Sequence, residues 1–325
     1  MAAMRCLSFA LALPVALALG GGAGCYTVDF DETLSNVYYC QAVADCGANQ
    51  ACWQNRCVDD SGPVVTVTGP ESLQNLTFDA QTLTVNYSTS NFTISDSNEV
   101  VEGEGKIAVS VAGTDISTVS VVSAGAQLDI SSLEPGAYRL LVEAVHGDGT
   151  PYDNPSASTY TVFYIEDQNP LRPQVAIVSP PPGYVHIVGE PLEVVIASRN
   201  FEFVDSGEDC RIDPSCDPWG PMGTPVPDGC LPACPVVPAG HPHIYMLSDY
   251  PACLDNALSC NGDYVLSLLS GDSTGDTVTG VIPADRFTEV GTVTFSAGLQ
   301  YNDHEPYPHE NIRLFDQITI ELAER

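Results

Sequence analysis

Two histidines stand one residue apart in Gly240-His241-Pro242-His243-Ile244-Tyr245-Met246, and a third, His304, lies in Asn302-Asp303-His304-Glu305-Pro306-Tyr307. On a strand, residues two apart project to the same face, so His241 and His243 would present two imidazoles side by side. Together with His304, and with Asp303 or Glu305 as an oxygen donor, they make a donor set suited to Zn²⁺ or Cu²⁺. Pro242 has no N–H to give a ladder, which predicts a sheet edge or rim. The structural alternative is that these imidazoles hydrogen-bond to turns and to each other, fixing loops. His146, His186 and His309 read as exposed.

Calcium is the other cation to weigh. The acidic turns Asp272-Ser273-Thr274-Gly275-Asp276 and His146-Gly147-Asp148-Gly149-Thr150-Pro151-Tyr152-Asp153 supply oxygen donors, although neither has the spacing of an EF-hand loop. Signatures of catalysis are thin. The chain has no phosphate loop, no dinucleotide-binding βαβ fingerprint and no His-Glu-x-x-His. Trp53 and Trp219 are the two tryptophans, too few for a sugar-stacking platform. The expectation is a protein that is not an enzyme.

The elements that must hold the histidines are strands. Val64 to Thr68 is β-branched throughout. Thr82 to Tyr87, Lys106 to Val111 and Tyr138 to Ala144 alternate with period two, and Thr161 to Ile165 closes the set. Gly, Pro, Asn and Asp punctuate them, the signature of an antiparallel sandwich. The plan then repeats. Leu83-Thr84-Val85, Asn91-Phe92 and Asp96 recur at Leu192-Glu193-Val194, Asn200-Phe201 and Asp205, an offset of 109 residues. Gly136, Asp148 and Pro151-Tyr152 recur at Gly291, Asp303 and Pro306-Tyr307, an offset of 155. The excess is an insertion in the second copy. On this alignment His241 and His243 fall opposite Glu104 and Lys106, and His304 opposite Gly149, so the first copy has the fold without the histidines.

The fold class is therefore all-β: two tandem antiparallel sandwiches, over 63–168 and 169–325, joined by Asp167-Gln168-Asn169-Pro170-Leu171-Arg172-Pro173. The pattern resembles the tandem immunoglobulin-like modules of bacterial surface proteins. The Gly-His-x-His-Ile-Tyr strand with its Asn-Asp-His turn is similar to a theme in small envelope β-sandwich domains.

Cysteines carry the remaining information. Cys40, Cys46, Cys52 and Cys57 crowd a segment too small to fold on an apolar core, which predicts two disulfides with three possible connectivities. This stretch resembles short EGF-like or EB-like modules, which implies a rigid spacer. Cys210, Cys216, Cys230 and Cys234 lie in a Pro- and Gly-rich insert at about 206–239, and Cys253 and Cys260 bracket a loop. Cys253 with Cys260 is the preferred local pair, and the other four would staple the insert.

Residues 1–24 read as an export signal: Arg5, then the apolar run Leu7 to Leu19, then small residues up to Gly24. Gly22-Ala23-Gly24-Cys25 resembles the lipobox of bacterial lipoproteins, apart from Gly22 where Leu is usual. The resemblance implies acylation of Cys25, a tether and cysteine module over 25–62, and membrane attachment through the lipid. Removing Cys6 and acylating Cys25 would leave ten of the 12 cysteines, an even number. Forty-two acidic against 10 basic residues give a formal net charge of −32. That excludes nucleic acid as a partner and argues against polybasic lipid contact, while favouring cations or basic partners. The sequence thus predicts an exported, lipid-anchored envelope protein, at the outer membrane or cell surface, with a binding or structural role toward an unknown protein or surface ligand. Metal handling, with zinc or copper, is the alternative.

Overall fold

The computed structural model describes residues 40, 43–53, 56–121, 125–168, 172–203, 239–246, 265–267, 273–274, 277–300 and 315–324. Two units divide between Asp59 and Asp60. The first contains a hairpin, β1 (Gln50–Trp53) with β2 (Arg56–Asp59), in which Cys52 lies directly across from Cys57. Disulfides join Cys40 to Cys52 and Cys46 to Cys57, first to third and second to fourth. Buried Cys40 and Cys57 sulfurs take the place of the core that so short a segment lacks.

The second unit begins at Asp60, whose carboxylate accepts from Asn154 Nδ2 at 3.2 Å and Ser156 Oγ at 2.7 Å. Its first sandwich runs β3 (Val64–Gly69), β4 (Gln74–Leu76), β5 (Thr82–Ser90), β6 (Thr93–Ile94), β7 (Glu104–Val111), β8 (Ser117–Ser120), β9 (Ala126–Asp129), β10 (Gly136–Val145) and β11 (Ser158–Ile165). One sheet has the order β3-β5-β9; the other has β4-β11-β10-β7-β6, with β8 paired to β7. Period-two alternation turns Leu83, Val85 and Tyr87 of β5 and Ile107, Val109 and Val111 of β7 into one core with Leu140, Val142 and Phe163.

The second sandwich runs β12 (Gln174–Ser179), β13 (Val185–Ile187), β14 (Leu192–Arg199), β15 (Glu202–Phe203), β16 (Ala239–Met246), β17 (Leu266–Ser267), β18 (Ser273–Thr274), β19 (Thr277–Ile282), β20 (Gly291–Gln300) and β21 (Phe315–Ala323). Its sheets are β12-β14-β19-β18 and β13-β21-β20-β16-β15, with β17 paired to β16. Apart from β18, this is the first sandwich over again. The order is that of immunoglobulin-like domains, with three strands facing the remainder. Backbone detail repeats as well. Asn91 and Asn200 are both left-handed, at φ 55° and 54°, each at the turn into the next short strand. The first strand of each copy carries a bulge, between Val67 and Gly69 and between Ile177 and Ser179.

The ladders correct one detail of the repeat. β7 pairs Lys106 with Val145 and Ala108 with Glu143; β16 pairs His241 with Gln300 and His243 with Gly298. The parallel pairs agree, since Glu104 and Ala239 occupy the same place beside Thr93 and Glu202. His241 therefore corresponds to Lys106 and His243 to Ala108, two residues further along than sequence alignment gives. The misfit arises because the insertion precedes β16 and leaves no fixed anchor for counting.

The sandwiches meet through an edge. β12 borders its sheet, which leaves the outward N–H and C=O of Ile177 without a strand. Asp316 Oδ2 accepts from Ile177 N at 2.6 Å, and Arg139 donates to Ile177 O at 2.7 Å. Arg139 also pairs with Asp316 itself, one N–H···O lying at 3.1 Å. Beside this, Val162 and Tyr164 of β11 pack on Ala176 of β12, Gln174 donates to Ile165 O at 2.6 Å, and Tyr160 Oη donates to Val178 O at 2.7 Å. The linker is fastened at its described ends: Arg172 pairs with Asp167 at 3.0 Å, and Arg199 with Glu166 at 2.6 Å.

Candidate functional site

The even-numbered residues of β16, Ile244 and Met246, enter the sandwich core. Alternation sends His241, His243 and Tyr245 to the opposite, outer face of the sheet. They are not exposed there: His241 is 2% accessible and His243 0%. The Ile244 carbonyl accepts from Val265 N at 2.9 Å, so the backbone groups of Ile244, and by alternation of Pro242, face away from β20. Pro242 thus falls on the outer side of β16, between the pairing sites of β15 at Ala239 and Gly240 and of β17 at His243 and Ile244. No ladder bond is lost to its missing N–H, as expected for a rim position.

The two imidazoles converge. His241 Nε2 and His243 Nε2 are 3.0 Å apart, with ring centroids at 4.9 Å. On the far side of the second ring, His243 Nδ1 lies 3.3 Å from Tyr245 Oη. Gly298 stands directly across from His243 and contributes no side chain, which leaves room for the ring above the sheet. In the first sandwich the corresponding pair is Ala108 with Glu143, small and large exchanged. Burial raises the pKa of Glu143. Lys106, at the place of His241, donates from Nζ to Asn98 Oδ1 at 2.7 Å and to Gly147 O at 2.8 Å. The first copy therefore carries a fixed ammonium where the second carries imidazole.

Other residues of the sequence reading separate from this site. His304, Cys25, Cys210, Cys216, Cys230, Cys234, Cys253 and Cys260 lie outside the described residues. His186 is buried, not exposed: its Nε2 bonds to Glu190 O at 2.9 Å and its ring meets Phe287 edge-on at 4.7 Å. Its short strand lies along β21, which covers a residue that the sequence alone reads as exposed. His146 stacks on Tyr152 at 3.8 Å. In the acidic turn that follows, Asp148 Oδ1 accepts from Thr150 N at 3.0 Å and Thr150 Oγ1 at 2.7 Å, and these bonds lower its pKa. That oxygen closes its own turn. Among the described residues, one group of three or more metal-type donor atoms lies close together, Cys40, Cys46 and Cys57, and all three are in disulfides.

The stretch Gly271-Asp272-Ser273-Thr274-Gly275 fits Gly-x-Ser-x-Gly, which corrects the expectation that the chain carries no such motif. That motif works when the serine tops a sharp strand-to-helix elbow. Here Ser273 and Thr274 form β18 and pair antiparallel with Val278 and Thr277 of β19. The serine sits in a hairpin, with a strand rather than a helix after it.

No family model matches the chain, and no curated protein matches it. Solved structures similar to it include the fibronectin(III)-like modules of Clostridium thermocellum CbhA, at 13% identity over 80% of this chain and 95% of that one, with a TM-score of 0.23. The D0-D1 domain of intimin aligns at 8% identity over 80% and 98%, with a TM-score of 0.35. The titin domains z1z2 in complex with telethonin align at 14% identity over 82% and 98%, with a TM-score of 0.20. The fold assignment rests on the strand order itself.

Proposed function

We propose that this chain is an exported cell-envelope lipoprotein in which the disulfide module spaces a two-sandwich unit from a membrane anchor at Cys25. Its role is to bind or brace other envelope components. The observation that carries this reading is the pair of disulfides, Cys40–Cys52 and Cys46–Cys57, in the module downstream of Cys25. Such bridges form and persist outside the reducing cytosol. The apolar run Leu7 to Leu19 ahead of Gly22-Ala23-Gly24-Cys25 gives the route. Among the described residues no helix is long and apolar enough to cross a membrane, so attachment in this reading falls to the lipid.

The joint between the sandwiches supports the bracing role. Arg139, Asp316 and Ile177 interlock across it, and residues 60–325 form one compact unit. A joint of this kind transmits orientation from one module to the next, where a flexible linker would not.

The test is fractionation of cells producing the wild type and Cys25→Ser, with protease shaving of intact cells. The reading predicts wild-type protein in the membrane fraction and the variant released. Wild-type protein that stays in the cytosol with free thiols at Cys40 and Cys52 would overturn it.

A further inference from the structure

We propose that His241 and His243 are protein ligands of a single borderline divalent cation of the zinc class, held on the outer face of the second sandwich. Three observations converge on this. The first is geometry: the two Nε2 atoms lie 3.0 Å apart. Two nitrogens bound at about 2.0–2.1 Å to one tetrahedral ion are about 3.3 Å from each other, so an ion needs an outward shift of a few tenths of an ångström and a tilt of both rings toward a common point.

The second is the partner of His243. Ligating histidines hold their orientation and tautomer by donating the other ring N–H to an acceptor. His243 Nδ1 is 3.3 Å from Tyr245 Oη. A proton on Nδ1, donated to that phenol oxygen, leaves the Nε2 lone pair directed at His241. Without an ion, one Nε2 carries the proton and donates to the other.

The third is the repeat. The corner at position 106 already holds a cation in the first sandwich, the Lys106 ammonium, bound by Asn98 Oδ1 and Gly147 O. In the second sandwich His241 takes that place, His243 replaces Ala108, and Gly298 replaces Glu143 opposite it. A built-in cation and an acid across the sheet have been exchanged for two neutral nitrogen donors and the room they need. With a net charge of −32, the chain also concentrates cations at its surface. The described residues supply two ligands; water or further groups complete the shell.

The experiment titrates zinc chloride alone into metal-stripped full chain, reading zinc per chain after gel filtration and the melting temperature. The wild type is expected to retain one zinc per chain and to gain at least about 3 °C. The double variant His241→Lys/His243→Ala restores the residue types that the first sandwich has at positions 106 and 108. It should keep the wild-type circular dichroism and lose zinc affinity by at least about 100-fold. Tyr245→Phe keeps the ring and removes the acceptor, and should weaken zinc by about 10-fold. Wild-type protein without bound zinc and without a thermal shift overturns the proposal. So does a folded double variant that binds as tightly as wild type. Should the double variant not fold, unchanged affinity in Tyr245→Phe overturns it.

Discussion

Arg139 of the first sandwich and Asp316 of the second, 177 residues apart in sequence, form a buried ion pair that also caps both backbone groups of Ile177. The arrangement solves two problems together. An edge strand buried against another domain would leave an N–H and a C=O without partners, and each would carry a desolvation cost. Two charges buried together would likewise need more than each other to offset the loss of water. Here the carboxylate takes the N–H, the guanidinium takes the C=O, and the two charges neutralise one another.

Breaking this triangle from one side should be expensive. Arg139→Ala leaves Asp316 charged and buried, and Asp316→Ala does the same to Arg139. Each is expected to cost about 3–5 kcal/mol in urea unfolding. The pair Arg139→Met/Asp316→Leu should cost clearly less than the two single losses added together. Additive single effects, each below about 1 kcal/mol, would show that the joint is not held this way.

The disulfide module should answer to reductant separately from the first sandwich. Loops of 12 and 11 residues are closed by its two disulfides, and each bridge should contribute about 2–4 kcal/mol to that module. Non-reducing peptide mapping is expected to return Cys40 with Cys52 and Cys46 with Cys57. After reduction, limited proteolysis should cut between residues 40 and 59 while leaving the first sandwich, residues 63–168, which holds no cysteine, intact. Recovery of Cys40 joined to Cys46 or Cys57 would contradict the structure.

His186 predicts an acid dependence. Burial holds its pKa below the ordinary imidazole value, against an opposing contribution from Glu190. The unfolded chain, titrating near about pH 6.5, then binds the proton more readily than the folded one. Stability from this group is present above about pH 6.5 and falls as pH drops through the unfolded pKa toward the lower folded one. The melting temperature of His186→Gln should fall less than that of the wild type between about pH 7.5 and 5. Parallel curves for the two proteins would remove His186 as the source.

Asn91 and Asn200 should resist β-branched replacement to a similar degree. Both sit at positive φ, 55° and 54°, where Asn is tolerated and Val is not. Valine at either place is expected to cost about 1–2 kcal/mol, and glycine far less. Asn200→Gly should fare somewhat worse than Asn91→Gly. The Asn200 amide donates to Arg172 O at 3.0 Å, whereas the Asn91 bond to Gly62 O is 3.5 Å long. Thermal melts of the four variants decide the matter.

These features differ in how far sequence could reveal them. Alternation in Thr82–Ser90 and Glu104–Val111 named the strands and their inward faces, because one face of each is solvated. The repeat was readable at Asn91 and Asn200, since a left-handed turn restricts which residues can stand there. The joint was legible only as an anomaly. Val162, Phe163, Tyr164 and Ile165 are apolar on both faces, and a strand apolar on both faces is covered on both. Nothing local says that the cover is Ala176, or that Arg139 in an otherwise apolar strand has its counter-ion near the far end of the chain. At the histidine site, the spacing of His241 and His243 predicted a shared face. Their burial and the role of Gly298 did not follow from spacing, because spacing says neither what covers that face nor which residue β20 places opposite.

Attachment through Cys25 can be read from the mass of the N-terminal peptide of membrane-extracted protein. The expected peptide begins at Cys25 and carries the added mass of a lipid. A peptide that begins elsewhere, or an unmodified Cys25 within a longer one, would contradict it.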